Sequence, residues 1–184
     1  MFIHKLSETV EVRVLESRHA EEFHALVVAN HERLARWCPW IKRTGSIEST
    51  REFLLEKIAR LNARNGFTAG IFVDRRLSGV IALEYIDWEN ASTEIGYWID
   101  YRVEGRGIVI SACRSMIAYA FSELELERIQ IRCAVENTRS RAIPKRLGFA
   151  QEGILRRCER LTDRTVDLVV YAQLRNEWPE VNAV

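Results

Sequence analysis

Glu94-Ile95-Gly96-Tyr97-Trp98-Ile99-Asp100-Tyr101-Arg102-Val103-Glu104-Gly105-Arg106-Gly107-Ile108 is the stretch on which the fold turns. Ile95, Tyr97 and Ile99 alternate with Glu94, Gly96 and Trp98, so its first part reads as a strand with two different faces. A turn with two glycines follows, and Ile108 opens a strongly periodic helix. Such a turn leaves backbone N–H groups free at the positive end of a helix dipole, where an anion is held. The stretch therefore points to a phosphate site, and its neighbours must say whose phosphates.

The surrounding chain has 184 residues, a length expected to form one domain over 1–184 with a substantial core. Its 27 basic and 26 acidic residues leave a net charge of +1, which argues against a global attraction to nucleic acid or anionic membranes. The N-terminal MFIHKLSETVEVRVL scatters charges, and no apolar run reaches the roughly 18 residues of a membrane span. A cytoplasmic location is expected. Cys38, Cys113, Cys133 and Cys158 form no C-x-x-C pair, so no metal site is expected, and apolar neighbours mark Cys113 and Cys133 as reduced core thiols. His4, His19, His24 and His31 lie away from the glycine turn and read as surface or satisfied side chains.

Val10, Val12 and Val14 alternate with Glu11 and Arg13 as a half-buried strand. Ser17 is placed to cap a helix carrying Phe23, Leu26, Val27 and Leu34, ended by Trp37-Cys38-Pro39-Trp40. Ser49 and Glu52 have capping-box spacing for a second helix through Phe53, Leu54, Ile58 and Leu61 to about Asn65-Gly66. Strands are expected over 67–73, 77–85 and 92–99, joined by short turns and therefore antiparallel. Val109, Cys113, Met116, Ile117, Ala120, Phe121 and Leu124 share one face of the helix after Gly107. A strand over 128–135, a short helix over 140–147 and a late strand over 165–174 follow. The order β-α-α-β-β-β-α-β-α-β-β describes an α+β domain. Arg156, Arg157, Arg160 and Arg164, with Glu159 and Asp163 among them, read as a solvated hairpin.

Two nucleotide sites fail on particular residues. A dinucleotide-binding fingerprint needs a third glycine where Ile110 stands, and a P-loop needs Gly-Lys-Ser/Thr where Gly107 is followed by Ile108-Val109. What remains is Arg102-x-x-Gly105-x-Gly107 between a strand and an amphipathic helix. That pattern is similar to the pyrophosphate signature of the GCN5-related N-acetyltransferases (GNAT), and Asn137-Thr138-Arg139-Ser140 with Leu147-Gly148-Phe149 resembles the same family's downstream segment. EIGYW running into GRGI, ENTRSR before LGF, and a late strand ending in VVYAQL resemble the ribosomal-protein N-terminal serine/alanine acetyltransferases within it. The resemblance implies a GNAT fold, a mixed, mostly antiparallel twisted sheet of about seven strands flanked by about four helices. It also implies acetyl-CoA as donor and direct transfer through a ternary complex.

The residues then fall into expected roles. The turn of Val103, Gly105, Arg106, Gly107 and Ile108 would donate N–H groups to a pyrophosphate, with Arg102 or Arg106 adding charge. The amide-bearing pantetheine arm would pair along Tyr97, Trp98 and Ile99 like an added strand, with Gly96 a candidate place for the splay or bulge that frees this edge, or simply a residue that makes room for packing. Glu94 reads either as a solvated strand carboxylate or as a base beside an indole; the resemblance favours the base. The resemblance likewise makes Ser140 the proton donor to the leaving thiolate, a role compatible with capping the helix that follows, and Asn137 a cofactor contact through its amide. It places Trp37 and Trp40 at the acceptor cleft, where a hydrophobic plug is the alternative. No cysteine neighbours the motif in sequence, so no acyl-cysteine step is expected. The expected acceptor is a protein N-terminus, with a small amine (polyamine, amino acid or aminoglycoside) or a non-catalytic CoA-binding module as alternatives; relatives of this group often pair, so a homodimer is possible.

Overall fold

The computed structural model describes residues 3–179; Met1, Phe2 and the last five residues, which the expected single domain also spans, lie outside the described residues. Eight strands form one sheet: β1 (Ile3–Lys5), β2 (Val10–Val14), β3 (Phe67–Val73), β4 (Arg76–Asp87), β5 (Ser92–Ile99), β6 (Arg128–Ala134), β7 (Ala150–Arg160) and β8 (Thr165–Leu174). Their spatial order is β1-β2-β3-β4-β5-β6-β8-β7, and every neighbouring pair is antiparallel except β5 with β6. The helices are α1 (Ala20–Ala29), α2 (His31–Ala35), α3 (Ile47–Asn62), α4 (Ile108–Ser122) and α5 (Thr138–Arg146). The α+β, mostly antiparallel expectation holds, with one more strand and one more helix than expected. The additional strand, β1, pairs with β2 through only three residues, too short to show an alternating pattern.

Burial follows from position in the sheet. In β2 only Val12 is fully buried; Val10 and Val14 pack half-buried against the same core, and Glu11 and Arg13 are half-buried too. All seven residues of β3 are buried, because helices cover both faces of the central strands. On one face Ala69, Ile71, Ile81 and Ile95 pack against Val109, Cys113, Met116, Ile117 and Phe121 of α4. On the other, Phe72, Leu77 and Val80 pack against Phe23, Leu26, Phe53 and Leu54 of α1 and α3. The β3–β4 connection is tight, with Asp74 and Arg75 both at positive φ (48° and 65°), the twist that suits a two-residue hairpin. Among the described residues no helix is long and apolar enough to cross a membrane.

Three local expectations change. The first helix is not continuous: 17–19 form a 3-10 turn, α1 starts at Ala20, and the chain breaks at Asn30 before α2, so Ser17 is not its cap. The second helix starts three residues before the Ser49–Glu52 spacing suggests and ends at Asn62. Its box is Ser46–Ser49: the Ser49 N–H donates to Ser46 Oγ (3.2 Å) and the Ser46 N–H donates to Ser49 Oγ (3.0 Å). Asn137 rather than Ser140 caps α5, its Oδ1 accepting the Ser140 N–H at 3.2 Å. Each cap is a short polar side chain three residues before the N–H it satisfies, and serines at 46 and 49 made two registers look equal.

Ser46→Ala should therefore lower stability by about 1 kcal/mol, read as a shift in urea midpoint at constant slope. Glu52→Ala, at an exposed position outside the box, should stay within about 0.5 kcal/mol of the parent.

Candidate active site

β5 and β6 are paired only over Ser92↔Arg128, Thr93↔Ile129 and Glu94↔Gln130, and then separate. Residues 95–99 of β5 keep antiparallel pairing with β4 on one side and have no strand partner on the other among the described residues. The sheet thus opens as a wedge with Glu94 at its apex. Of the splay or bulge expected beside Gly96, the splay is this parting of β5 and β6, and the bulge lies in β4, where Glu84 and Tyr85 together oppose Glu94 between the pairs Leu83↔Ile95 and Ile86↔Thr93. Gly96 answers to that bulge: a Cβ there would come 3.0 Å from Glu84 Oε1.

The turn after β5 is fixed from beneath. Asp100 is 3% exposed, and its carboxylate accepts the Arg102 N–H (3.2 Å), the Arg102 Nε (2.7 Å) and the Asn30 Nδ2 (3.3 Å). Burial opposes its ionisation, but these bonds outweigh burial and hold its carboxyl below the usual value. Asn30, itself buried, also accepts the Tyr101 N–H at 3.2 Å and donates to Leu26 O at 3.0 Å. The break between α1 and α2 is thus the support of the turn, a role no local pattern announced. Gly105 and Gly107 sit at φ +77° and +75°, with nothing within 4 Å of where a Cβ would project, and Gly107 caps the 15-residue α4. Only glycine adopts both conformations without strain, and the open side is where α4 presents its first N–H groups. Arg102 is held by Asp100 yet remains 58% exposed, and Arg106 reaches back to Arg102 O at 3.3 Å. Glu104, inside the turn, is ion-paired to Arg33 of α2 and to Arg139 of α5.

At the apex, Glu94 Oε2 accepts from Gln130 Nε2 at 3.2 Å and pairs with Arg132 Nε at 2.7 Å. Burial pushes its carboxyl above the usual value, and Arg132 and Gln130 only partly offset that. A second carboxylate was hidden in the apparently solvated hairpin. Most of β7 is exposed, but Glu159, opposite buried Val166, is half-buried; burial pushes its carboxyl up, and Arg132 only tempers it. Among the described residues, no ion pair or hydrogen bond reaches the Glu159 side chain within the usual distances. Trp40 and Trp98 stand 6.1 Å apart beside Phe23 and Phe53, whereas Trp37 packs on Ala134, Leu161, Val166 and Leu168. The 37–40 segment therefore joins the packing on the β5 side of the wedge to that on the β6–β8 side. Cys38 is enclosed there, its thiol pushed up to about 12 by burial and then by Glu159 and Glu84.

Ser140 Oγ lies 3.2 Å from Cys133 Sγ and 3.4 Å from the Tyr97 hydroxyl, and the Tyr97 O–H donates to Ser140 O at 2.9 Å. Cys133 is buried as expected, but it touches Ser140 in space while seven residues from it in sequence. The structure brings Glu94, Tyr97, Trp98 and Trp40 to one bank of the wedge, and Asn137, Ser140 and Trp37 to the other. Val103, Ile108 and Ile99 pack into or against the core beneath. Among the described residues no group of three or more His, Cys, Asp or Glu side chains is placed to hold a metal ion.

Residues 9–150 match the family model of the acetyltransferase (GNAT) domain. The chain belongs to the GNAT acetyltransferase family. It is 41% identical over 179 residues to YdaF of Bacillus subtilis (strain 168), provisionally named a ribosomal N-acetyltransferase, covering 97% of this chain and 98% of YdaF. It is 31% identical over 170 residues to the ribosomal-protein-serine acetyltransferase of Escherichia coli (strain K12), covering 92% and 95% of the two chains. Among solved structures, RimL, a ribosomal L7/L12 α-N-protein acetyltransferase bound to coenzyme A through a disulfide to one of its cysteines, superposes with a TM-score of 0.92 at 27% identity, over 96% of this chain and 99% of RimL. The GNAT fold of this chain thus places an open strand edge, a glycine turn and two carboxylates of raised proton affinity around one wedge.

Asn30→Ala leaves buried Asp100 without one donor and the Tyr101 N–H without its acceptor. It should cost about 2 kcal/mol by chemical denaturation and speed amide exchange across 100–104.

Proposed function

We propose that the protein transfers the acetyl group of acetyl-CoA directly to the N-terminal α-amine of a protein, with ribosomal proteins as the acceptor class. The wedge carries this reading: an unpaired strand edge runs from Glu94 to a glycine-lined helix N-terminus. Acetyl-CoA, when bound, supplies the activated acetyl thioester. The chain's residues fit its parts. The turn of Val103, Gly105, Arg106, Gly107 and Ile108 offers N–H donors to a pyrophosphate, and the exposed edge of Arg102 adds charge. The free edge at Tyr97, Trp98 and Ile99 matches an extended amide-bearing arm. Its N–H groups lie where negative charge develops on the carbonyl oxygen. Asn137 donates its side-chain amide to the arm.

The acceptor must reach the thioester as a free amine. An α-amine has a pKa of about 7.7–8.0, so a carboxylate that burial has made more basic than usual is a competent base. We assign that role to Glu94, directly or through one water, with Trp37 and Trp40 walling the acceptor's approach. A second reading gives the role to Glu159, favoured by one observation: it lacks the ion pair that Glu94 makes with Arg132. Ser140 returns a proton to the departing thiolate. RimL and the Escherichia coli relative, named for ribosomal-protein acetylation, support the acceptor class. A cytoplasmic location accords with it.

Thiol release from acetyl-CoA should be seen with peptides bearing a free N-terminal serine or alanine and be lost when that amine is blocked. Turnover of polyamines without peptides would remove the acceptor assignment, and CoA binding without turnover on any amine would remove the enzyme reading. Glu94→Gln should lower turnover at neutral pH by about 100-fold, leave CoA affinity little changed and abolish the acidic limb of the pH–rate profile. That limb should lie above the ordinary carboxylate range, because burial keeps the base protonated to higher pH. Loss of the limb in Glu159→Gln, with retention in Glu94→Gln, would transfer the role.

The position of the thiol can be read separately. CoA disulfide should exchange with Cys133, whose thiolate attacks one sulfur and displaces CoA thiolate. Intact mass should rise by one CoA, reversibly with dithiothreitol, in the parent and in Cys158→Ser, but not in Cys133→Ser. No adduct on the parent would place the thiol end away from Ser140.

A further inference from the structure

Pro144 lies inside α5, four residues after Ser140. In an α-helix the N–H of residue 144 would donate to the carbonyl of residue 140, and proline has no N–H to give. The Ser140 carbonyl is therefore deprived of its helical donor by the sequence itself. A half-buried carbonyl in that state costs free energy unless another donor arrives. One does: the Tyr97 hydroxyl, from β5 on the opposite bank of the wedge, donates to Ser140 O at 2.9 Å. We propose that Tyr97 is a positioning residue for Ser140, its hydroxyl replacing the backbone donor that Pro144 lacks and so fixing the first turn of α5 across the wedge.

Three contacts then set the serine. Its N–H is held by Asn137 Oδ1 (3.2 Å), its carbonyl by Tyr97, and its hydroxyl lies between Cys133 Sγ (3.2 Å) and the Tyr97 oxygen (3.4 Å). Only the hydroxyl keeps a rotational choice, between Cys133 Sγ and the Tyr97 oxygen. Burial raises the Tyr97 phenol far above its ordinary value, with Cys133 and Cys113 beside it adding to that, so it stays protonated and remains a donor. Tyr97 also ties β5 to the first turn of α5 where the β5–β6 ladder has ended. A phenylalanine would fill the same core position and keep the strand edge, but leave the carbonyl unpaired.

The proposal rests on Ser140 being the proton donor to the leaving thiolate, and the tests separate the two. Tyr97→Phe should lower kcat by about tenfold, with the KM for acetyl-CoA moving by less than about twofold, and should speed amide exchange over 138–143. Pro144→Ala restores the missing N–H, so the Tyr97→Phe/Pro144→Ala protein should regain slow exchange and most of the lost kcat. In a Ser140→Ala background, Tyr97→Phe should cause no further loss of kcat. Failure of Pro144→Ala to slow exchange in the Tyr97→Phe protein would overturn the hydrogen-bond replacement. A full additional loss of kcat in the Ser140→Ala background would overturn positioning through Ser140. Undiminished kcat in Ser140→Ala alone would overturn the donor reading and the kinetic claim with it, and the exchange rescue distinguishes that failure from a wrong hydrogen bond.

Discussion

The rest of the site depends on two parallel strands that stay hydrogen-bonded for three residues and then part. A sheet opened from within exposes backbone N–H and C=O groups in the middle of the molecule, where neither water nor a neighbouring strand is guaranteed. The chain sustains this by bracing both banks. The β4 bulge turns Glu84 over Gly96, and Lys57 and Arg60 of α3 hold Glu84 from behind, Lys57 by an ion pair at 2.8 Å. Across the gap, Tyr97 reaches α5, Arg132 reaches Glu94, and the 37–40 segment packs on both sides. The opening is maintained by specific side chains and is not a defect in pairing.

Electrostatics at the apex follow from the same opening. Glu84 has its own cations, and Glu94 shares Arg132 with a more distant Glu159. With Glu84 matched by Lys57 and Arg60, Glu94 and Glu159 face the one guanidinium of Arg132, in a place dry enough to raise proton affinity. On the function proposed above, an ammonium entering here would meet two carboxylates against one guanidinium, and exclusion of water would then disfavour it as a cation.

Much of this was legible in the sequence, for identifiable reasons. The hydrophobic face of α4, the tight β3–β4 turn and the glycine turn are written in contiguous residues with strong local preferences. The caps of α3 and α5 lie three residues before the serines that the spacing suggests, because short polar side chains stand three apart in each (Ser46 and Ser49, Asn137 and Ser140) and only tertiary packing chooses between them. The Gly96 bulge was displaced because a bulge belongs to a pair of strands, whereas the sequence shows one strand at a time. Asn30, Glu159, Arg132 and the contact of Cys133 with Ser140 were not legible. Asn30, Arg132 and Glu159 act on partners far along the chain, and Cys133 meets Ser140 only because β6 and α5 fold together; nothing in their own neighbourhoods marks them. Pro144 was visible throughout, but its meaning required knowing which hydroxyl lay beside the carbonyl it leaves unpaired.

The opened edge has a consequence for what can enter it. An exposed strand edge is ordinarily an invitation to any polypeptide with a free ladder of its own, and proteins guard against such pairing. This one is recessed between banks that carry Tyr97, Trp98 and Ser140, where a polypeptide would have to place side chains alternately above and below the sheet. A filament bearing amides but no side chains meets no such obstacle. The slot therefore suits backbone-like hydrogen bonding from a partner without side chains better than from a polypeptide strand.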